Sequence, residues 1–141
     1  MDSHFKEWVE IASQDLASAK YLVNMKPVPL EIICYHCQQS AEKYLKAFMA
    51  FKGLEIIKTH DLTALYKELI VMDETFESIK NECIDLTDFS VTTRYPYKLE
   101  LDIKDMKKAI KDAEKIQSFI TDKLSNISFR KNSAVDKLKG N

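Results

Sequence analysis

The sequence predicts an all-α protein, folded as an antiparallel, up-and-down bundle of four to five helices. Only two glycines and three prolines occur among the 141 residues, which is too few for the many turns of a β architecture. Apolar residues recur at intervals of three and four along several long stretches, which is the spacing of a buried helix face. A chain of this length is expected to form one domain with a sizeable core.

The central helix is predicted over Ile32–Gly53, a stretch without proline that ends in a glycine suited to a helix C-terminus. Its apolar side chains fall along one side: Ile33, Cys37, Ala41, Tyr44, Leu45, Phe48, Met49 and Phe51. His36, Gln39, Lys43 and Lys46 line the opposite side at helical spacing. We therefore predict a core helix with a solvated polar face, and this polar row is a candidate contact for a ligand or a partner.

The first helix is predicted from Ser3 to about Met25, with Ser3 as its N-cap. Its buried stripe consists of Phe5, Trp8, Val9, Ala12, Leu16, Ala19 and Leu22 or Val23. The helix is expected to end at the segment Lys26–Pro29, because proline lacks an amide hydrogen and restricts the residue that precedes it.

Three more helices are predicted after the central one. Thr59 or Asp61 can cap a helix whose buried stripe is Leu62, Leu65, Tyr66, Leu69 and Ile70. A shorter helix is predicted over Glu74–Thr87, with the inward residues Phe76, Ile79, Cys83 and Leu86. The final long helix is predicted over Asp102–Leu124 and is capped by Asp102.

The chain divides into a helical bundle over residues 1–126 and a basic tail over residues 127–141, which we expect to be flexible. The cations of the tail outnumber its one acidic residue, Asp136, and they are Arg130, Lys131, Lys137 and Lys139. Such a tail is compatible with an anionic partner, although a merely solvated terminus has the same composition.

The balance of charge argues against a strongly basic nucleic-acid-binding protein. The chain has 21 lysines and arginines against 22 aspartates and glutamates, and its formal net charge is −1. A local basic groove remains compatible with this total. No apolar run approaches the ~20 residues that cross a bilayer, and the N-terminus lacks the apolar stretch of a signal peptide. We expect a cytoplasmic protein with no membrane partner.

Cys34, Cys37 and Cys83 are interpreted as structural thiols. A closed zinc site needs four ligands, usually from two closely spaced pairs, and only His60 and Cys83 follow the first pair, Cys34-x-x-Cys37. Cys37 also lies on the apolar side of its helix, where cysteine behaves as a small hydrophobe. We therefore expect no metal site and no cofactor.

A second candidate site lies where helical regularity fails before the last helix, at Thr92–Pro96. We interpret the surrounding residues as a structured loop or a frayed helix end. Arg94 is one of only two arginines, and a guanidinium is a rigid fork of donors that matches phosphate or carboxylate. Tyr95 can stack on a base or a sugar. The alternative is a structural arginine that pairs with a glutamate of a neighbouring helix.

Three segments in this order resemble the HEPN family (higher eukaryotes and prokaryotes nucleotide-binding). They are His36–Ala47 (HCQQSAEKYLKA), Thr59–Leu62 (THDL) and Arg94–Pro96 (RYP), and the likeness runs from about Phe5 to Leu124. The resemblance implies a HEPN-like bundle of four or five helices that is usually a homodimer. It also implies a small nucleotidyltransferase as a frequent partner, as in minimal toxin–antitoxin pairs. Tyr35, Tyr95 and Tyr97 are candidates for the dimer seam.

Many members of the family are metal-independent RNA endonucleases, whose signature is an arginine followed by a histidine at the dimer cleft. Arg94 matches the arginine, but residues 99–101 are leucine, glutamate and leucine, and all three histidines precede Arg94. Metal-free cleavage of RNA needs proton transfer near neutral pH, for which an imidazole is suited and a guanidinium is too basic. His36 or His60 can replace the missing group only if the fold brings one of them within hydrogen-bond reach.

The favoured hypothesis is therefore a non-catalytic, HEPN-type protein that binds a nucleotide or RNA phosphates beside a nucleotidyltransferase-type partner. Its predicted ligand-binding residues are Arg94, Tyr95, His36, Gln39, Lys43, Lys46 and His60. One alternative is an RNA endonuclease toxin with an atypical active site, in which Arg94 would be catalytic. Another alternative is a helical adaptor that binds no small ligand.

Overall fold

The computed structural model describes residues 4–90 and 100–139, with side chains through residue 126. These residues form five α-helices and one 3₁₀ helix, with no strand among them. The α-helices are α1 (Phe5–Leu22), α2 (Leu30–Phe51), α3 (Leu62–Met72), α4 (Lys80–Thr87) and α5 (Ile103–Lys139), and the 3₁₀ helix spans Glu74–Ile79. The predicted all-helical bundle is confirmed.

The helix α2 occupies the centre of the bundle. It packs most extensively against α1 and α5 and also contacts α3 and α4. The apolar side chains predicted to face inward are all buried: Ile33, Cys37, Ala41, Tyr44, Leu45, Phe48, Met49 and Phe51. Because neighbours surround α2, every residue from Cys37 through Phe51 is buried except Lys43. The other helices are arranged around this one element.

The prediction of a solvated polar face on α2 is wrong. Gln39 and Lys46 are only 8% and 7% exposed, and His36 and Lys43 are partly covered. The reason is that α1 lies across this face, and the Ser40 hydroxyl donates a hydrogen bond of 2.8 Å to the Ala12 carbonyl. The polar row therefore belongs to a helix–helix contact, where its groups need partners within the protein.

Local chemistry sets the ends of α2 and α3. Gly53 follows α2 with φ of 70°, a left-handed conformation that favours glycine. The amide of the next residue, Leu54, donates 2.9 Å to the Met49 carbonyl, as in a Schellman motif. Asp61 caps α3, since its carboxylate accepts a 2.9 Å hydrogen bond from the Thr63 amide. Both helix boundaries agree with the sequence prediction.

The start of α5 also has its predicted cap. The Asp102 carboxylate accepts a hydrogen bond of 2.8 Å from the Asp105 amide, and the Asp105 carboxylate accepts one of 3.1 Å from the Asp102 amide. The end of α5 differs from the prediction, because the helix continues to Lys139 instead of ending near Leu124. Residues 127–139, which we assigned to the tail, are therefore helical.

Two other helices differ in detail from their predictions. The helix α1 ends at Leu22, before Met25, and its N-cap position is His4, which makes no side-chain capping bond. The predicted cap Ser3 lies outside the described residues. The helix expected over Glu74–Thr87 is divided into a 3₁₀ helix and α4. All four of its predicted inward residues are fully buried: Phe76, Ile79, Cys83 and Leu86.

Within the described part of the chain, no helix is both long and apolar enough to cross a membrane.

Candidate functional site

Asp15 of α1 joins two of the predicted site residues on α2. Its Oδ1 lies 3.1 Å from His36 Nδ1, and its Oδ2 accepts a 2.6 Å hydrogen bond from Lys43 Nζ. The three side chains are 16% to 26% exposed. The apolar stripe of α1 brings Asp15 here, because Ala12, Leu16 and Ala19 are buried against the core on the same helix.

Two glutamines extend this contact along α2. Lys43 Nζ also donates 3.2 Å to Gln39 Oε1, and Gln39 Nε2 donates 2.7 Å to Gln38 Oε1. Gln38 Nε2 then donates 2.7 Å to the backbone carbonyl of His60, in the segment that leads into α3. Gln38 is fully buried, so this chain of hydrogen bonds ties α1, α2 and the start of α3 together.

A second carboxylate, Glu42, holds the other predicted residues. Its Oε2 accepts 3.1 Å from Lys46 Nζ, and its Oε1 lies 2.9 Å from Nδ1 of His60. The side chains of Glu42 and Lys46 are only 4% and 9% exposed, whereas the His60 side chain is 63% exposed. Lys46 Nζ also lies 5.8 Å from the ring centroid of Trp8 on α1.

We name this arrangement the α2 polar network. Its members are Asp15, His36, Gln38, Gln39, Glu42, Lys43, Lys46 and His60. Each lysine has a carboxylate partner, so the ammonium and carboxylate charges balance before the two imidazoles are counted. In the described part of the chain, no buried side-chain nitrogen or oxygen lacks a hydrogen-bond partner. The network is therefore internally satisfied, and His60 is its most exposed side chain.

The structure brings together every predicted site residue that it describes: His36, Gln39, Lys43, Lys46 and His60. Arg94 and Tyr95 lie outside the described residues, so their place in the site stays a prediction. Sequence reasoning missed Asp15, Gln38 and Glu42. The spacing of Glu42 and Lys46, four residues apart on one helix, was an available signal for their ion pair.

The cysteines have the environment of structural thiols. Cys34, Cys37 and Cys83 are all buried, and burial raises the pKa of the Cys34 and Cys83 thiols to about 12. Burial also raises the pKa of Cys37. A metal would require the thiolate form. Among the described residues, no group of three or more histidine, cysteine or acidic side chains could hold a metal ion.

Two of the surface cavities that described residues line lie near the ends of α2. One of about 540 Å³ is lined by Met49, Glu68 and residues 54–58, next to the end of α2. Another of about 520 Å³ is lined by residues 28–32, Glu100 and Leu101, at the start of α2. Neither lining includes a residue of the α2 polar network.

Comparison with known proteins places these features in a family. Residues 5–124 match the family model described as the HEPN domain. The chain belongs to the HEPN family. Its fold is also similar to the crystal structure of TT1696 from Thermus thermophilus, with a TM-score of 0.76 and 22% sequence identity. That alignment covers 87% of this chain and 99% of TT1696, and at this identity it shows a shared fold alone. No curated protein matches the chain.

Two of the three segments that resemble the HEPN family, His36–Ala47 and Thr59–Leu62, lie together in the structure. In this HEPN protein the first segment supplies most of the α2 polar network, and the second supplies His60 and the Asp61 cap of α3. Two carboxylate-held imidazoles result. Such groups can donate a hydrogen bond to an anion when charged, or accept a proton when neutral.

Proposed function

We propose that this HEPN protein binds a nucleotide or RNA phosphates without cleaving them, at the edge of the α2 polar network. The supporting observation is the His60 imidazole, which is 63% exposed and contacts the buried Glu42 at 2.9 Å. A side chain of this type is exposed to ligand and yet fixed by the protein. Arg94 and Tyr95 complete the proposed site, with Arg94 as a phosphate contact and Tyr95 as a stacking surface.

The lysines have a different role in this proposal from the one their spacing suggested. Lys43 and Lys46 are bound to Asp15 and Glu42, and a ligand that took either lysine would leave a buried or partly buried carboxylate without its ammonium partner, with only its imidazole contact remaining. We therefore assign Lys43, Lys46 and Gln39 to the support of the site. The favoured hypothesis is kept, but these three residues no longer count among the groups that contact the ligand.

We also propose a homodimer that acts beside a nucleotidyltransferase-type partner, in a toxin–antitoxin-like context. The support for this proposal is membership of the HEPN family, whose members resemble this chain over residues 5–124. A second copy related by a two-fold axis would bring two sets of imidazoles and two copies of Arg94 to one cleft. Sedimentation velocity over a range of protein concentrations tests the dimer, which a monomer at every concentration would contradict.

Metal-independent RNA cleavage is the second candidate function. Two observations favour it, namely that Asp15 and Glu42 each contact Nδ1 of an imidazole, at 3.1 Å and 2.9 Å. A carboxylate that orients a histidine is a common arrangement for general acid–base catalysis. The histidine missing after Arg94 would then be replaced by His36 or His60.

A thermal-shift series with ATP and GTP tests the proposed binding. Both are expected to raise the melting temperature of the wild-type protein if its site accepts purine nucleotides, with a stabilisation of about 2.7 kcal/mol at a hundredfold excess over Kd. Arg94→Ala should reduce the shift. Arg130→Ala is the matched control, because it removes the other arginine from the basic tail. The absence of a shift with either nucleotide or with a short RNA would favour the adaptor.

Incubation of RNA with a high concentration of protein and a chelator separates binding from cleavage. Intact RNA, together with a nucleotide-dependent thermal shift, is the expected result. Cleavage that is abolished by His60→Ala or His36→Ala would instead establish the second candidate function. Cleavage that survives both variants and Arg94→Ala would indicate a contaminating nuclease.

A further inference from the structure

The segment that carries His60 is held to α2 at two separate atoms. Its backbone carbonyl accepts a 2.7 Å hydrogen bond from the fully buried Gln38, and its Nδ1 lies 2.9 Å from the buried Glu42. Glu42 is itself held by Lys46 at 3.1 Å. The fold thus places buried polar groups against a side chain that is more than half exposed.

The two lysines of the α2 polar network, Lys43 and Lys46, are less accessible to a ligand than His60. Lys43 Nζ already donates to Asp15 and Gln39, and its side chain is 20% exposed. Lys46 Nζ donates to Glu42 and is more deeply buried than Lys43. An incoming phosphate would have to compete with a carboxylate for each ammonium group. Within the described residues, the carboxylate contact of His60 is at Nδ1, so that carboxylate does not compete for Nε2.

The contact with Glu42 indicates which ring nitrogen of His60 carries a hydrogen. An ionised carboxylate accepts hydrogen bonds and donates none, so the short contact with Glu42 requires a hydrogen on Nδ1. Nε2 is then the ring nitrogen that Glu42 does not contact. When Nε2 also carries a proton, the imidazolium is held against a buried carboxylate and can donate its second N–H to a phosphate oxygen.

We propose that His60 is the anion-contacting residue of this face, and that Glu42, Lys46 and Gln38 are positioning residues that fix its ring and its backbone. The ligand group is a phosphate oxygen, from either a free nucleotide or an RNA backbone. This inference rests on the proposed function, which it deepens by naming the contact. In this inference Lys43 and Lys46 pair with carboxylates of the protein and do not contact the ligand.

Two kinds of measurement test it, and the first needs no ligand. Long-range ¹H–¹⁵N spectra distinguish the two ring nitrogens of a neutral histidine by their protonation. The neutral His60 ring is expected to carry its hydrogen on Nδ1 in the wild-type protein. In the double variant Glu42→Leu with Lys46→Met, which removes both buried charges together, this preference should be lost. A wild-type His60 with its hydrogen on Nε2 would overturn the positioning role.

The second measurement is the affinity for inorganic phosphate and for ATP. His60→Ala is expected to weaken both about tenfold, the loss of one charge-assisted hydrogen bond. His4→Ala should change neither, since His4 is an exposed histidine at the start of α1. The double variant should bind as weakly as His60→Ala while circular dichroism shows that it remains helical. Comparing ATP with a short RNA distinguishes a free nucleotide from an RNA backbone.

The outcomes separate this inference from the function on which it rests. Nucleotide binding that is unchanged in His60→Ala but lost in Arg94→Ala would overturn the role of His60 and leave the proposed function intact. Binding that weakens equally in His60→Ala and His4→Ala would show a general effect of charge and would also overturn it. A wild-type protein that binds neither phosphate, ATP nor RNA overturns both.

Discussion

At the scale of the residue, the Glu42–Lys46 pair is the most demanding feature of the molecule. Both side chains are less than a tenth exposed. Removing two charges from water costs several kcal/mol per ion, and their attraction offsets this only when further contacts satisfy both groups. Glu42 has such a contact in His60, and Lys46 has one in the Trp8 ring. The pair is therefore compensated, but we do not expect it to contribute net stability.

This view makes a prediction about single and double variants. Glu42→Leu leaves Lys46 buried without its carboxylate, and we expect it to lower the free energy of unfolding by about 3 kcal/mol or more. The double variant Glu42→Leu with Lys46→Met removes both charges at similar volume, and it should lie within about 1 kcal/mol of the wild type. Urea denaturation of the single variants, the double variant and the wild type completes a double-mutant cycle.

The same double-mutant cycle can also contradict this prediction. If the double variant loses as much stability as the sum of the two single variants, the charges act independently and the pair is not a unit. Lys108→Met is a suitable control. Lys108 forms ion pairs with Asp85 and Asp112, but its side chain is more than half exposed. Its effect should stay below about 1 kcal/mol, as for exposed ion pairs.

At the scale of the element, sequence reasoning succeeded where the determining contacts are local. Gly53, Asp61 and Asp102 mark helix ends through bonds to residues two to five positions away, so their chemistry can be seen in the sequence. The burial of the polar face of α2 could not be seen in this way. It depends on Asp15, which pairs with Lys43 across 28 residues of sequence. Periodicity identifies a polar face, but the neighbouring helix decides whether water reaches it.

The cap of α3 gives a prediction at this scale. Asp61 Oδ1 accepts hydrogen bonds from the Thr63 amide, the Thr63 hydroxyl and the Thr87 hydroxyl. Asp61→Ala should therefore lower the free energy of unfolding by about 1 to 2 kcal/mol at pH 7. Asp61→Asn is the control, because asparagine also caps helices and should lose less.

The same cap predicts a dependence on pH. The hydrogen bond from Thr63 is the largest influence on the pKa of Asp61, which is lowered below its ordinary value of 3.8. A lowered pKa in the folded state means that the ionised cap stabilises the protein above the ordinary value, and that this stabilisation is lost as the pH falls below it. The difference between wild type and Asp61→Ala in urea should therefore shrink below about pH 4. A difference that is constant from pH 7 to pH 3 would contradict the role of the charge.

At the scale of the whole molecule, the sequence predicted the composition of the site better than its electrostatics. Segments far apart in sequence contribute to one network, and two of these segments are among those that carry the resemblance to the HEPN family. The resemblance did not show that Asp15 and Glu42 neutralise the lysines. The pairing of Asp15 with Lys43 arises only when α1 packs against α2, a contact between elements that no single stretch of sequence encodes, whereas Glu42 and Lys46 lie four residues apart on α2.

The extension of α5 raises a question that also belongs to this scale, namely where the folding unit ends. The last buried residue of the described core is Leu124, and the HEPN family match also ends at residue 124. Removal of residues 127–141 should therefore change the free energy of unfolding by less than about 0.5 kcal/mol, although it shortens a long helix. Urea denaturation and the nucleotide thermal shift of the truncated protein provide the measurements.

A second truncation, after residue 119, is the control for this prediction. It removes Ile120 and Leu124, and each buried aliphatic side chain that is lost should lower the free energy of unfolding by about 2 to 5 kcal/mol. The shorter chain is therefore expected to unfold at a much lower urea concentration, or not to fold. If removal of residues 127–141 alone already lowers the stability by more than about 1 kcal/mol, the extension belongs to the folding unit. The boundary after residue 126 would then be wrong, because the helix would be stabilised by contacts beyond Leu124.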